Sequence, residues 1–169
     1  MTAPAGPVAV YVSVGSNVDR ERHVRAAVRG LRRRFGPCRV SAVYETEAVG
    51  FAGDPFYNLA VGFRTAEPPE AVAACLRELE AAAGRRRDGP RFGPRTLDLD
   101  LLLYGAEVRA GPGLRLPRPE ILEQAFVLGP LAELDPELVH PTAGRTLGEL
   151  WAAMRPRVPA LRPVRLEGL

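Results

Sequence analysis

The stretch TLDLDLLLYG, Thr96 to Gly105, decides how the chain is read. Leu97, Leu99 and Leu101 alternate with Asp98 and Asp100. In a strand, residues i and i+2 point to the same face. The spacing therefore predicts a strand over 96–104, with the leucines turned into a core and both carboxylates projecting together on the other side. A solvated sheet face is the plain explanation. Aspartate, however, is depleted in strands, and two of them at alternate positions repel each other and favour a bound cation.

Working upstream, the apolar run Val8 to Gly15 predicts a first, central strand. From Asp19 the period changes. Val24, Ala27, Val28, Leu31 and Phe35 follow helical spacing, with arginines on the opposite side, and Gly36-Pro37 ends the helix. Cys38 to Thr46 reads as a second strand and Tyr57 to Thr65 as a third. The segment between them, Glu47 to Phe56, is too long for a tight hairpin turn, and loops of that kind often carry function. A helix is predicted from Pro68 to Gly84, with proline and glutamate at its start, Val72, Cys75, Leu76 and Leu79 on one side, and glycine at its end. Strand 96–104 then completes the order β-α-β-β-α-β. This is an α+β, ferredoxin-like core: a mainly antiparallel sheet with both helices on one face. A C-terminal extension follows, with a short apolar helix around AFVLGPLAEL (Ala125 to Leu134) and a helix opened by the capping box Thr146–Glu149. The chain reads as one domain over 1–169, with a core of about 8–151 and an extended surface tail over 155–169.

Composition excludes several chemistries. All 23 basic residues are arginine, and the net charge is +3. Without lysine there is no P-loop, no Schiff-base amine and no kinase strand lysine. Phosphate chemistry must then rest on arginine, metal and backbone amides. Cys38 and Cys75 are too few for a metal framework or a disulfide scaffold and read as buried thiols of a reducing compartment. The opening MTAPAGPVAV lacks a secretory pattern, and no stretch approaches the roughly 20 apolar residues of a membrane span. A cytoplasmic location, away from membranes, is the expectation. His23 and His140 read as a helix-surface and a loop residue.

Two same-face carboxylates supply hard oxygen ligands that suit Mg²⁺ together with substrate phosphate oxygens. The segment before them, Arg85 to Arg95, carries Arg85, Arg86, Arg87, Arg91 and Arg95 among glycines and prolines. Arginine makes bidentate bonds to phosphate. A carboxylate pair beside an arginine-rich loop has the layout of a nucleotide phosphate site.

At this point the residues match a family. GPRTLDLDLLLYG, preceded by GRRRDGPRF, resembles 6-hydroxymethyl-7,8-dihydropterin pyrophosphokinase, as do YVSVGSN (Tyr11 to Asn17), VYETEAVG (Val43 to Gly50), FYNLAV (Phe56 to Val61) and AFVLGPLAEL. The resemblance covers roughly Val8 to Trp151 and implies a ferredoxin-like fold. It implies transfer of the β,γ-pyrophosphoryl group of ATP to the pterin hydroxymethyl oxygen, releasing AMP, in folate biosynthesis. It implies two Mg²⁺ ions on Asp98 and Asp100, with Arg85 and Arg95 in the catalytic set beside them. Glu80, Arg87, Phe92, Arg95 and Arg118 would line the ATP site. Thr46, Val49, Phe56, Asn58, Phe92 and Phe126 would line the pterin pocket. The implied partners are the small molecules ATP and the pterin.

Three positions depart from the family pattern. The family reads proline-histidine after the fourth strand, with an arginine six residues on; here Pro117 is followed by Arg118, and Gln124 holds the later position. Glu47 also stands where proline is common. These changes bear on nucleotide affinity more than on reaction type. They keep open a catalytically impaired pterin- or nucleotide-binding homologue. The same element order also serves RNA-recognition domains, but those stack bases on exposed aromatics where this chain places Asp98 and Asp100.

Overall fold

The computed structural model describes residues 6–48, 53–84 and 97–169. The predicted core elements are present and in order. They are β1 (Val8–Ser16), α1 (Arg20–Phe35), β2 (Arg39–Val40), β3 (Val43–Thr46), β4 (Phe56–Thr65), α2 (Pro69–Ala82) and β5 (Asp98–Tyr104). The β5-β1-β4-β3 order is antiparallel throughout, with β2 also pairing β4. This is the expected ferredoxin-like sheet, with β1 at its centre.

The single strand expected over 38–46 is divided in two. Val40 pairs with Val61 and Tyr44 with Asn58, so four steps on one strand match three on the other. One extra residue makes a bulge. Ser41 closes it: its N–H donates to Ala60 O (3.0 Å), and its hydroxyl oxygen accepts from Ala60 N–H (2.9 Å). The hydroxyl thus replaces a ladder partner that the bulge removes. A second irregularity lies in β5, where Tyr11 pairs with Leu103 but Val12 with Leu101. Leu102 is the inserted residue, and Leu102 and Leu103 both join the same core cluster.

Each face of the sheet buries its own core. On one face, Val10, Val12, Val14, Leu59, Val61, Leu99 and Leu101 pack against Val24, Val28 and Leu31 of α1 and Val72 and Leu76 of α2. As predicted, the alternating leucines of β5 point into this layer. Leu31 and Val72 are fully inaccessible, and truncating such a leucine to alanine costs about 2–5 kcal/mol. On the other face, Tyr11, Ala60, Leu102 and Leu103 pack against α3 (Ala125–Leu134) and Leu147 of α4 (Leu147–Met154). The C-terminal extension thus covers the face that the βαββαβ core leaves bare. α4 starts at the capping box: Thr146 Oγ1 accepts from Glu149 N–H, and Glu149 Oε1 accepts from Thr146 N–H.

Three features add to the sequence reading. The tail does not simply lie over the surface. After a 3-10 turn at Arg155–Arg157, β8 (Arg162–Val164) pairs antiparallel with β3 and becomes an edge strand of the sheet. Three residues with a proline in the middle carry no strand periodicity, so only the free edge of β3 recruits them. A small hairpin, β6 (Arg109–Gly111) and β7 (Leu114–Leu116), lies at the start of the C-terminal extension, where no strand is predicted. Finally, both histidines are buried. His23 Nδ1 lies 2.7 Å from Val18 O, and His140 Nδ1 accepts backbone N–H bonds from Thr142 and Ala143. Desolvation lowers the His140 pKa, so its ring stays neutral at physiological pH. Cys75 is buried and Cys38 half-buried; both are free, and desolvation raises both thiol pKa values.

Candidate active site

Because β1 runs between β5 and β4, its residues join two flanking strands into rows. One row is Asp98–Gly15–Asn58, and the next is Asp100–Ser13–Ala60. Directly opposed residues in a sheet share a face. The two β5 carboxylates and the Asn58 amide therefore lie on one face, the one covered further along by α3. Neighbouring strands are about 4.8 Å apart, so the Asp98 and Asn58 backbones stand about 10 Å from each other across the row. Between them is a glycine. A Cβ at Gly15 would sit 3.0 Å from Asn58 Oδ1 and 3.9 Å from the Phe56 ring. The gap between the two polar groups depends on that missing side chain.

On the Asn58 side, hydrogen bonds are already made. Asn58 is buried, and its Nδ2 donates to Thr46 Oγ1 across the β3–β4 pair. Thr46 lies opposite Phe56 on that pair. Thr46, Phe56 and Asn58, all predicted for the pterin pocket, thus stand together. Phe126 sits in the first turn of α3, packed partly against the core cluster of the same face. Val49 lies outside the described residues.

On the aspartate side, several carboxylates lie close together. The pKa of Asp100 is pushed up to about 7, first by desolvation and then by the neighbouring Asp98. Glu80 and Glu120 push in the same direction, and among the described residues the Arg118 guanidinium opposes them. Arg118 NH2 lies 3.3 Å from Asp100 Oδ1, and its Nε lies 2.6 Å from Glu120 Oε2. The backbone of Arg118 is held against β5 by its N–H bond to Leu102 O (3.0 Å). Arg118 thus meets the aspartates, where it is paired with carboxylates rather than free for phosphate.

Glu80 reaches this strand from α2. It is buried, and its Oε2 accepts the N–H of Leu99, the residue between the two aspartates, at 2.9 Å. In this role it fixes the backbone that carries the pair. Arg85, Arg87, Phe92 and Arg95 lie outside the described residues. The pair itself could hold Mg²⁺, since it presents two hard carboxylate groups on one face of the sheet.

The sequence reading did not single out Gly15 or Arg20. Gly15 belongs to a glycine-serine-asparagine run too short to be specific alone. Its part becomes visible only from the register of three strands. Arg20 looks like the first residue of a basic helix, and nothing in its local pattern shows the strand ends it touches.

Comparisons with known proteins identify the family. The family model described as 7,8-dihydro-6-hydroxymethylpterin-pyrophosphokinase (HPPK) matches residues 11–136. A 2-amino-4-hydroxy-6-hydroxymethyldihydropteridine pyrophosphokinase of Pseudomonas aeruginosa is 40% identical over 148 residues, covering 85% of this chain and 90% of that protein. One of the same name from Bacillus subtilis is 39% identical over 128 residues, covering 73% and 76%. Among solved structures, the wild-type HPPK-DHPS of Plasmodium falciparum with pteroate superposes with a TM-score of 0.72 over 93% of this chain. At 13% identity that likeness concerns the fold alone, and this chain spans 44% of the length of that protein. With most of its length matched by the family model, and with relatives at this identity over most of their length, the chain belongs to the 7,8-dihydro-6-hydroxymethylpterin-pyrophosphokinase family.

Proposed function

We propose that the chain transfers the pyrophosphoryl group of ATP to 6-hydroxymethyl-7,8-dihydropterin, a step of folate synthesis. The hydroxymethyl oxygen attacks the β-phosphorus, the bond from that phosphorus to the α-phosphate oxygen breaks, and AMP leaves. The products are AMP, the pterin diphosphate and one proton. The observation that carries this reading is the row Asp98–Gly15–Asn58. It sets a cation-binding carboxylate and a pterin-edge hydrogen-bonding group about two strand spacings apart on one face.

In this reading Asn58 and Thr46 bind the polar edge of the pterin, and Phe56 and Phe126 enclose its ring. Asp98 and Asp100 hold Mg²⁺, two ions in the full site. Bound there, Mg²⁺ offsets the charge that develops on the transferring phosphates. Glu80 keeps the β5 backbone in register, and Arg118 turns from Asp100 to the nucleotide phosphates. Arg85, Arg87 and Arg95 supply further phosphate contacts, Phe92 covers the site, and Val49 adds main-chain bonds to the pterin. The chemistry is mostly positioning and electrostatics. Incubation with Mg·ATP and the hydroxymethyl dihydropterin should yield AMP and the pterin diphosphate in equal amounts. Absence of both, under conditions where the Pseudomonas relative is active, overturns the reading.

The ion pair of Arg118 with Asp100 and Glu120 favours one second reading: a homologue that binds nucleotide or pterin with little turnover. That reading predicts substrate binding without AMP release.

A further inference from the structure

Arg20, the first residue of α1, lies on the sheet face opposite the row of Asn58 and Asp98. Its side chain makes three contacts, each with an immediate sequence neighbour of a residue placed in the pterin pocket. NH1 is 2.8 Å from Glu45 Oε2, next to Thr46. NH1 also donates to Pro55 O at 3.1 Å, next to Phe56. The guanidinium carbon stands 3.9 Å above the Tyr57 ring, next to Asn58. Side chains alternate along a strand, so Glu45 and Tyr57, opposed across β3 and β4, face Arg20 while Thr46, Phe56 and Asn58 face the other way.

The same guanidinium therefore holds both described ends of the β3–β4 connection. Glu45 precedes the connection and Pro55 closes it. The Asn17 side chain adds a second tie at the closing end, donating to Asp54 O at 3.1 Å. Glu45 has one further cation near it, Arg162 of β8, but at 3.6 Å and on an arginine side chain that is 79% exposed. Arg20 is the better seated of the two, at 27% exposure. A planar fork is suited to such a clamp, because it can satisfy a carboxylate and a carbonyl while lying flat on a ring. The compact ammonium of lysine cannot meet all three at once.

We propose that Arg20 is a positioning residue for the pterin: a clamp on the far side of the sheet that fixes the spacing of Thr46, Phe56 and Asn58. It touches no substrate atom and acts only through the strand ends. The inference rests on the reading of that pocket given above. It predicts a selective defect. In Arg20→Met, the pterin KM and the pterin Kd, measured by pterin fluorescence with Mg²⁺ and a non-hydrolysable ATP analogue present, should rise about tenfold, the loss expected of a charge-assisted contact set. The affinity for the ATP analogue and kcat at saturating pterin should stay within about twofold of wild type. Arg20→Lys should recover part of the pterin affinity. In the cycle of Arg20→Met with Tyr57→Leu, the double variant should lose less than the product of the two single losses.

Should Arg20→Met fail to fold, Glu45→Gln and Arg20→Lys test the same prediction, with smaller rises in pterin KM. Pterin binding within twofold of wild type in a folded Arg20→Met, even with a lowered melting temperature, overturns the clamp. So does an equal loss of pterin and ATP-analogue affinity, which is the mark of general disruption. If wild-type protein binds the ATP analogue but no pterin, the pocket assignment itself falls, and the inference with it.

Discussion

The two ends of the Asp98–Gly15–Asn58 row are built on opposite electrostatic terms. At the Asn58 end, polar groups are matched within the protein: the amide to Thr46 and the strand ends to Arg20. At the aspartate end, Asp98, Glu80 and Glu120 all act on Asp100 in one direction, Arg118 pairs with Asp100 and Glu120, and the Asp100 pKa is pushed up to about 7. The first end holds its shape without help. The second gathers carboxylates whose mutual repulsion a bound cation would lower. An enzyme that joins a neutral heterocycle to a metal nucleotide needs both on one face.

The largest effect that can break this comparison is removal of the carboxylates. Asp98→Ala and Asp100→Ala should each lower turnover by at least about a thousandfold while circular dichroism stays native, since metal-borne charge stabilisation carries most of the barrier reduction. Next comes the spacer. Gly15→Val places branched carbons against Asn58 Oδ1 and should raise the pterin KM about a hundredfold or more. Gly15→Ala, with its Cβ 3.0 Å from that oxygen, should cost only a few-fold, because the amide can move by a few tenths of an ångström. A steady-state comparison of the two variants reads the difference.

Smaller effects sharpen the aspartate end. Arg118→His with Gln124→Arg restores the family residues and should tighten ATP binding in calorimetry by about threefold to tenfold. No gain would mean that Arg118 already serves the nucleotide. The smallest effect is on stability. The folded-state pKa of Asp100 is raised from 3.8 to about 7, so between those values the folded chain holds a proton that the unfolded chain has lost. This group's contribution is most favourable at low pH and is lost as pH rises toward and past about 7. Without divalent metal, Asp100→Asn should therefore melt a few degrees above wild type at pH 8, and the gap should close toward pH 4. Mg²⁺ should raise the wild-type melting temperature more at pH 8 than at pH 5.

Much of the fold was legible in the sequence. Strands β1, β4 and β5 and helices α1 and α2 carry strong periodicities, and the alternation of Leu97, Asp98, Leu99, Asp100 and Leu101 assigned both faces of β5 correctly. What escaped was set by partners distant in the chain. Ser41 marks a bulge only because Ala60 lies opposite it, and Arg162–Val164 becomes a strand only because β3 offers an edge. His23 looks like a surface residue by position in a basic helix, but its ring turns back onto Val18 O. Of the candidate site, the sequence motifs pointed to Asp98, Asp100, Asn58 and Thr46. That Gly15 lies between Asp98 and Asn58 depends on a three-strand register, which no local pattern encodes.

The proposed function rests most on a cation site at Asp98 and Asp100, beside the proposed pterin pocket. Electron paramagnetic resonance of Mn²⁺ with a non-hydrolysable ATP analogue tests it directly, comparing wild type with Asp98→Ala and Asp100→Ala. Two protein-bound Mn²⁺ ions per wild-type chain are expected, with loss of that binding in both variants. Wild-type Mn²⁺ binding in the two variants would contradict it.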